Sequence, residues 1–249
     1  ADLIRPDTTL VSIMAVNNEI GSIQPIEAIS KLLADKPTIS FHVDAVQALA
    51  KIPTENYLTD RVDFATFSSH KFHGVRGVGF VYIKSGKRIM PLLTGGGQER
   101  DYRSTTENVA GIAATAKALR LSMEKLDIFA SKTGQMKAVF RQALLDYPDI
   151  FVFSDEADFA PHILTFGIKG VRGEVIVHAF EDYDIFISTT SACSSKAGKP
   201  AGTLIAMGVD KDKAQSAVRL SLDLENDMSQ VEQFLTKLKL IYNQTRKVR

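Results

Sequence analysis

The sequence predicts an α/β fold, a mostly parallel sheet with flanking helices followed by a smaller α+β domain. Three observations carry this. Short apolar runs alternate with helical stretches through the first half of the chain. Two long alanine- and leucine-rich segments follow. Beyond them strands and helices mix without that alternation. The division is placed between 122 and 123, giving a domain over 1–122 and a second over 123–249.

In chain order, Thr9–Val16 is a buried-strand candidate. Pro25 suits the first turn of a helix, and Ile26, Ile29 and Leu33 share one face of it. Thr38–Val43, Asp63–Ser68 and Gly79–Ile83 are the next strands. A helix is expected from about Asn108 to Leu126, and another over Ser131–Asp146, stopped by Tyr147-Pro148. Strands near Ile150–Phe153, Ile163–Phe166 and Val218–Leu222 then mix with helices near Glu174–Asp182 and Ser229–Tyr242. The last helix is expected to open on a capping box, Ser229 with Glu232. Its apolar stripe is Val231, Phe234, Leu235, Leu238 and Ile241.

A chain of 249 residues, 45% hydrophobic and 24% charged, can bury a sizeable core. Lys plus Arg total 30 and Asp plus Glu 29, a net charge of +1, so no nucleic-acid or membrane partner is expected. No apolar run reaches the ~18 residues of a membrane helix, and no secretory leader opens the sequence. The single Cys excludes an internal disulfide, and a reducing, cytoplasmic setting is expected. The sequence opens on Ala1 and enters a strand almost at once, the expectation for a fragment.

Four loops, each after a predicted strand, concentrate functional side chains where α/β proteins place their sites. The first is Asn17-Asn18-Glu19-Ile20-Gly21, which alone also reads as a polar turn. In the second, His42-Val43-Asp44-Ala45-Val46-Gln47, a carboxylate at a strand end can hold a positive charge or simply cap a helix. In the third, Ser68-Ser69-His70-Lys71-Phe72-His73-Gly74, a desolvated lysine amine could bond a carbonyl covalently, with Ser and His as phosphate donors. On composition alone Lys71 reads as a surface lysine. His70 and His73 lack the Cys or carboxylate partner of a metal site. The fourth runs from Gly95-Gly96-Gly97-Gln98-Glu99-Arg100 to Arg103-Ser104-Thr105-Thr106-Glu107-Asn108, either an anion cradle or a linking loop.

Cys193 lies among Ser, Thr, Ala and Gly, a composition that exposes a thiol, although a lone Cys is also often a small buried hydrophobe. Arg219 interrupts an apolar strand and must be paired or face a cavity, where a substrate carboxylate would suit it.

The order NNEIG, HVDAVQ, SSHKFHG, GGGQE with RSTT, SACSS and VRLSL resembles the NifS-like cysteine desulfurases over nearly the whole chain. These belong to the class V aminotransferase family of pyridoxal-phosphate (PLP)-dependent enzymes, fold type I. The resemblance implies the C-terminal portion of that transferase fold, with 1–122 as part of the large cofactor domain. It implies that Lys71 holds the cofactor and moves protons, that Asp44 pairs with its ring nitrogen and that Gln47 bonds its phenolic oxygen. Ser68 and His70 would bind its phosphate, and Thr106 would reach the phosphate of a partner subunit, hence a homodimer. Asn18 would lie near cofactor and substrate, and Arg219 would bind the carboxylate of L-cysteine. Cys193 would take the sulfur, leaving L-alanine and a persulfide for a sulfur-acceptor protein. Iron–sulfur cluster assembly, tRNA thiolation and thiamine synthesis all remain open as destinations.

Departures from the family pattern accompany the resemblance. Its upstream Gly/Thr phosphate loop and ring-stacking histidine have no counterpart in this sequence, so weak or absent activity is expected of the isolated chain. Thr105, Thr190 and Asp223 stand where the family usually has glycine, and a positive φ there would strain them. Alternatives are another fold-type-I enzyme, a selenocysteine lyase or an aminotransferase, and a non-catalytic partner-binding remnant.

Overall fold

The computed structural model describes residues 2–154, 157–190 and 202–247. The chain divides into two compact units, Ala1–Ala15 with Gln24–Leu126 and Val16–Ile23 with Asp127–Arg249.

The first unit holds β1 (Leu10–Met14), α1 (Ile26–Leu32), β2 (Ser40–Asp44), β3 (Phe64–Ser68), β4 (Gly79–Ile83) and α2 (Val109–Met123). Its sheet runs β1-β2-β3-β4, the first three strands parallel and β4 antiparallel to β3. The period of two sorts β2 and β3 by face. Phe41, Val43, Ala65 and Phe67 are buried on one side, while His42, Asp44, Thr66 and Ser68 are half-buried on the other. The parallel register pairs Met14 with Asp44 and Asp44 with Thr66, so the three strands end along one edge.

The second unit contains α3 (Leu126–Leu145), β5 (Ile150–Val152), β6 (Ile163–Ile168), α4 (Gly173–Glu181), β7 (Ser188–Thr189), α5 (Gly202–Ala206), α6 (Lys211–Gln215), β8 (Ala217–Ser221) and α7 (Met228–Lys247). Its antiparallel sheet has the order β5-β6-β8-β7. All six residues of β6 are buried. Phe234 of α7 centres the core, stacked on Phe180 at 4.5 Å and edge-on to Phe140 at 5.1 Å. No helix among the described residues is long and apolar enough to cross a membrane.

The start of α7 corrects the expected Ser229–Glu232 box. Asp227 is the cap. Its Oδ1 accepts the Gln230 N–H at 3.1 Å, and Gln230 Oε1 accepts the Asp227 N–H at 3.2 Å. Ser229 instead donates its hydroxyl to Asp227 Oδ1 at 2.6 Å, and these bonds hold the Asp227 carboxyl below the usual range. None of Thr105, Thr190 and Asp223 takes a positive φ, so the side chains found in place of glycine meet no backbone strain. Asp223 uses its carboxylate locally, accepting the Leu224 N–H at 2.6 Å.

Candidate active site

In the first unit, Asp44, Ser68 and the Lys71 turn stand at the carboxyl ends of adjacent parallel strands, the edge where α/β sheets collect ligands. Asp44 accepts the Val46 N–H on Oδ1 at 3.0 Å. The sequence offered a cap or a charge partner, and the geometry leaves room for both. A carboxylate has about four lone-pair sites, and only one is used here among the described residues. Gln47 lies in the turns after Asp44, half-buried, rather than on a helix.

The chain leaves β3 into a single 3-10 turn, Ser69–Phe72, which carries His70 and Lys71. His73 closes it in the left-handed region, φ 65°, with its N–H on the Ser69 carbonyl. Gly74 follows where no side chain fits, since a Cβ would lie 1.9 Å from Ser69 Oγ. Lys71 is half-buried, and no hydrogen bond or ion pair engages its amine among the described residues. An amine free of a counterion, beside Ser68 and the exposed His70 and one strand from a carboxylate, suits a phosphorylated aldehyde with a basic ring.

His42 has no role that the linear motif assigns to it. It lies two residues before Asp44 on the same face, with Nδ1 2.7 Å from Ser12 Oγ of β1 and Nε2 3.1 Å from Thr66 Oγ1 of β3. The imidazole thereby ties three strands together beneath Asp44. Burial pushes its pKa down, and the Asp44 carboxylate opposes this. A pKa lower in the folded than in the unfolded chain means stability present above about pH 6.5 and lost as pH falls below it. The thermal midpoint of the wild type should therefore drop more between about pH 7 and pH 5 than that of His42→Gln. Parallel pH profiles would remove His42 from this account.

The Asn17–Gly21 loop belongs to the second unit. Asn17, not Asn18, builds it. Asn17 is buried, and its Oδ1 accepts the N–H groups of Glu19 at 2.8 Å and Ile20 at 3.0 Å. Ser154 and Thr165 hold the loop from below by donating to the Ile20 and Glu19 carbonyls. Two adjacent asparagines are indistinguishable in sequence, and burial separates their roles. Asn18 projects outward, its carbonyl accepting Arg219 Nη1 at 2.6 Å. Arg219, half-buried on β8, also donates from Nε to Ser221 Oγ at 3.2 Å. Asn18 and Arg219 thus meet across 201 residues of sequence, a backbone carbonyl aiming the guanidinium.

The glycine-rich loop continues into Glu99, Arg100 and Asp101, all left-handed at φ 52°, 58° and 67°. Thr106 is exposed just before α2. Cys193 lies outside the described residues.

A NifS/IcsS protein homolog of Lactobacillus delbrueckii subsp. bulgaricus is 52% identical over 243 residues, covering 97% of this chain and 63% of the relative. The cysteine desulfurase IscS of Clostridium botulinum strain Hall is 36% identical over 249 residues, 98% of this chain and 62% of the relative. A solved NifS-like protein superposes with a TM-score of 0.87 at 37% identity, over 97% of this chain and 63% of that one. The chain therefore spans slightly under two thirds of the length of these relatives. The aminotransferase class-V pattern matches residues 1–234, which take in both sheets and all the site residues named above, and the chain belongs to that family.

Proposed function

We propose that this chain is the C-terminal portion of a PLP-dependent cysteine desulfurase, which takes sulfur from L-cysteine and leaves L-alanine and a persulfide on Cys193. The observation that carries the proposal is the Lys71 amine, unengaged among the described residues, on a turn one strand from the Asp44 carboxylate. The family's names and its dependence on pyridoxal phosphate support it.

In this reading Lys71 holds the cofactor and shuttles the substrate's Cα proton. Asp44 pairs with the ring nitrogen, Gln47 with the phenolic oxygen, and Ser68 and His70 with the phosphate. When bound, the cofactor supplies an electron sink for negative charge at the substrate. Asn18 and Arg219 orient the substrate and its carboxylate. The Cys193 thiolate attacks the substrate sulfur, forming S–S as C–S breaks. The electron pair stays on the former cysteine carbon, which takes a proton to become alanine, so the step balances without an outside oxidant.

Met90 at 91% and Leu92 at 95% exposure are apolar groups that a second copy would cover, with Thr106 reaching that copy's phosphate. The persulfide is then available to an acceptor protein, with iron–sulfur cluster assembly as one destination.

The test is L-cysteine turnover by the chain alone and by the chain joined to the remaining part of the L. delbrueckii relative. In a single turnover the fusion should yield alanine and an equal amount of persulfide at Cys193, and the chain alone little. Cys193→Ala should retain the cofactor and lose the persulfide entirely. Transamination that survives in Cys193→Ala, with no alanine formed from cysteine by the parent, would make the protein an aminotransferase instead.

A further inference from the structure

The turn that carries Lys71 is gripped at both ends by one helix, through two hydroxyls that the proposed chemistry does not use. Thr115 of α2 is buried and donates its only hydroxyl proton to the Gly111 carbonyl at 2.7 Å. Its oxygen lies 2.9 Å from Ser69 Oγ, so Ser69 must be the donor there. The proton chain runs Ser69 to Thr115 to Gly111, and Ser69 is fully buried. At the other end, Ser122 Oγ donates to the Phe72 carbonyl at 3.1 Å.

Thr115 and Ser122 are seven residues apart, two turns of one helical stripe, with about 10 Å between them along the axis. The residues they hold, Ser69 and Phe72, begin and end the 3-10 turn that has Lys71 inside it. Close approach makes this possible. A Cβ on Gly111 would lie 2.9 Å from Val78 Cγ2, and Val78 accepts the Ser69 N–H at 3.0 Å. Asn108 starts the helix at this point by capping the Gly111 N–H at 3.0 Å.

We infer that Thr115 and Ser122 are positioning residues for Lys71: they fix the backbone on either side of it so that the amine meets its carbonyl partner without first ordering the turn. The proposal rests on Lys71 being the cofactor lysine for its purpose, but not for its geometry, and the two are tested separately.

Amide hydrogen exchange of the full chain, without cofactor, reads the clamp. In Thr115→Val with Ser122→Ala, exchange over residues 69–73 should rise at least tenfold while the β5–β6 peptides are unchanged. Thr115→Ser, which keeps the hydroxyl, should restore protection at that end, and Arg120→Ala on the exposed face of α2 should leave the turn as it is. Unchanged exchange in the double variant overturns the clamp. Borohydride trapping of added pyridoxal phosphate, mapped by mass spectrometry, reads the purpose. Trapping at Lys71 should slow at least tenfold in the double variant and recover in Thr115→Ser. Trapping only at other lysines of the wild type would overturn the role of Lys71 while the exchange result decides the clamp.

Discussion

Lys71→Ala should abolish covalent retention of pyridoxal phosphate and the visible absorption band that accompanies it. The wild-type chain, loaded and freed of excess cofactor, should keep the band, and the mutant should return to the protein baseline. The expectation follows from the turn. Lys71 is half-buried, and its amine has no counterion among the described residues, so nothing competes with bond formation to an aldehyde. Two other lysines of the unit, beside the start of β3, are committed elsewhere. Lys87 pairs with Asp63 at 3.2 Å, and Lys84 donates to the Asp60 carbonyl. An equal band in both proteins would put the cofactor on another lysine. A band in neither would mean that the residues of this chain do not suffice to hold it.

Asp63→Ala should cost the first unit roughly 3 kcal/mol, the scale for removing one partner of a buried ion pair. Asp63 is 2% exposed at the entry to β3. Its Oδ2 accepts the Phe41 N–H at 2.9 Å and Arg61 Nη1 at 2.8 Å, and its Oδ1 accepts Lys87 at 3.2 Å. Burial raises its pKa, but these donors outweigh that and hold the carboxyl below the usual range. Arg61 in turn caps the chain after α1, donating to the carbonyls of Leu33 at 3.0 Å, Lys36 at 3.1 Å and Ile39 at 2.5 Å. One carboxylate therefore joins the start of β2, the end of α1 and the loop after β4. Asp63→Asn keeps an acceptor and should lose about half as much. The stabilisation is present above the unfolded carboxyl pKa of about 3.9 and disappears as pH falls through the lower folded value. Urea unfolding of the three proteins at neutral and acid pH measures this. Equal midpoints for wild type and Asp63→Ala would show that the pair contributes nothing.

Legibility followed the strength of periodic pattern. β4 spans Gly79–Ile83 as the sequence predicts, and β1, β2, β3, β5, β6, β8, α2, α3, α4 and α7 all fall where apolar runs or stripes announce them. The pieces left unread, β7, α5 and α6, are two to five residues long, too short for a period to register. The cap of α7 was misplaced because Ser229–Glu232 and Asp227–Gln230 both fit the capping pattern, and only the backbone geometry chooses between them.

Motif order in the sequence alone nominates the site residues, because Lys71, Asp44 and Cys193 sit in short segments that resemble one family's motifs in one order. The tertiary structure decided how Lys71, Asp44 and their neighbours are held. Asn17 rather than Asn18 builds its loop, His42 ties three strands beneath Asp44, and Thr115 with Ser122 grips the Lys71 turn. Those are ordinary residues in a linear reading. A hydroxyl or an imidazole acquires a role only when folding removes it from water and brings in a partner up to 50 residues away.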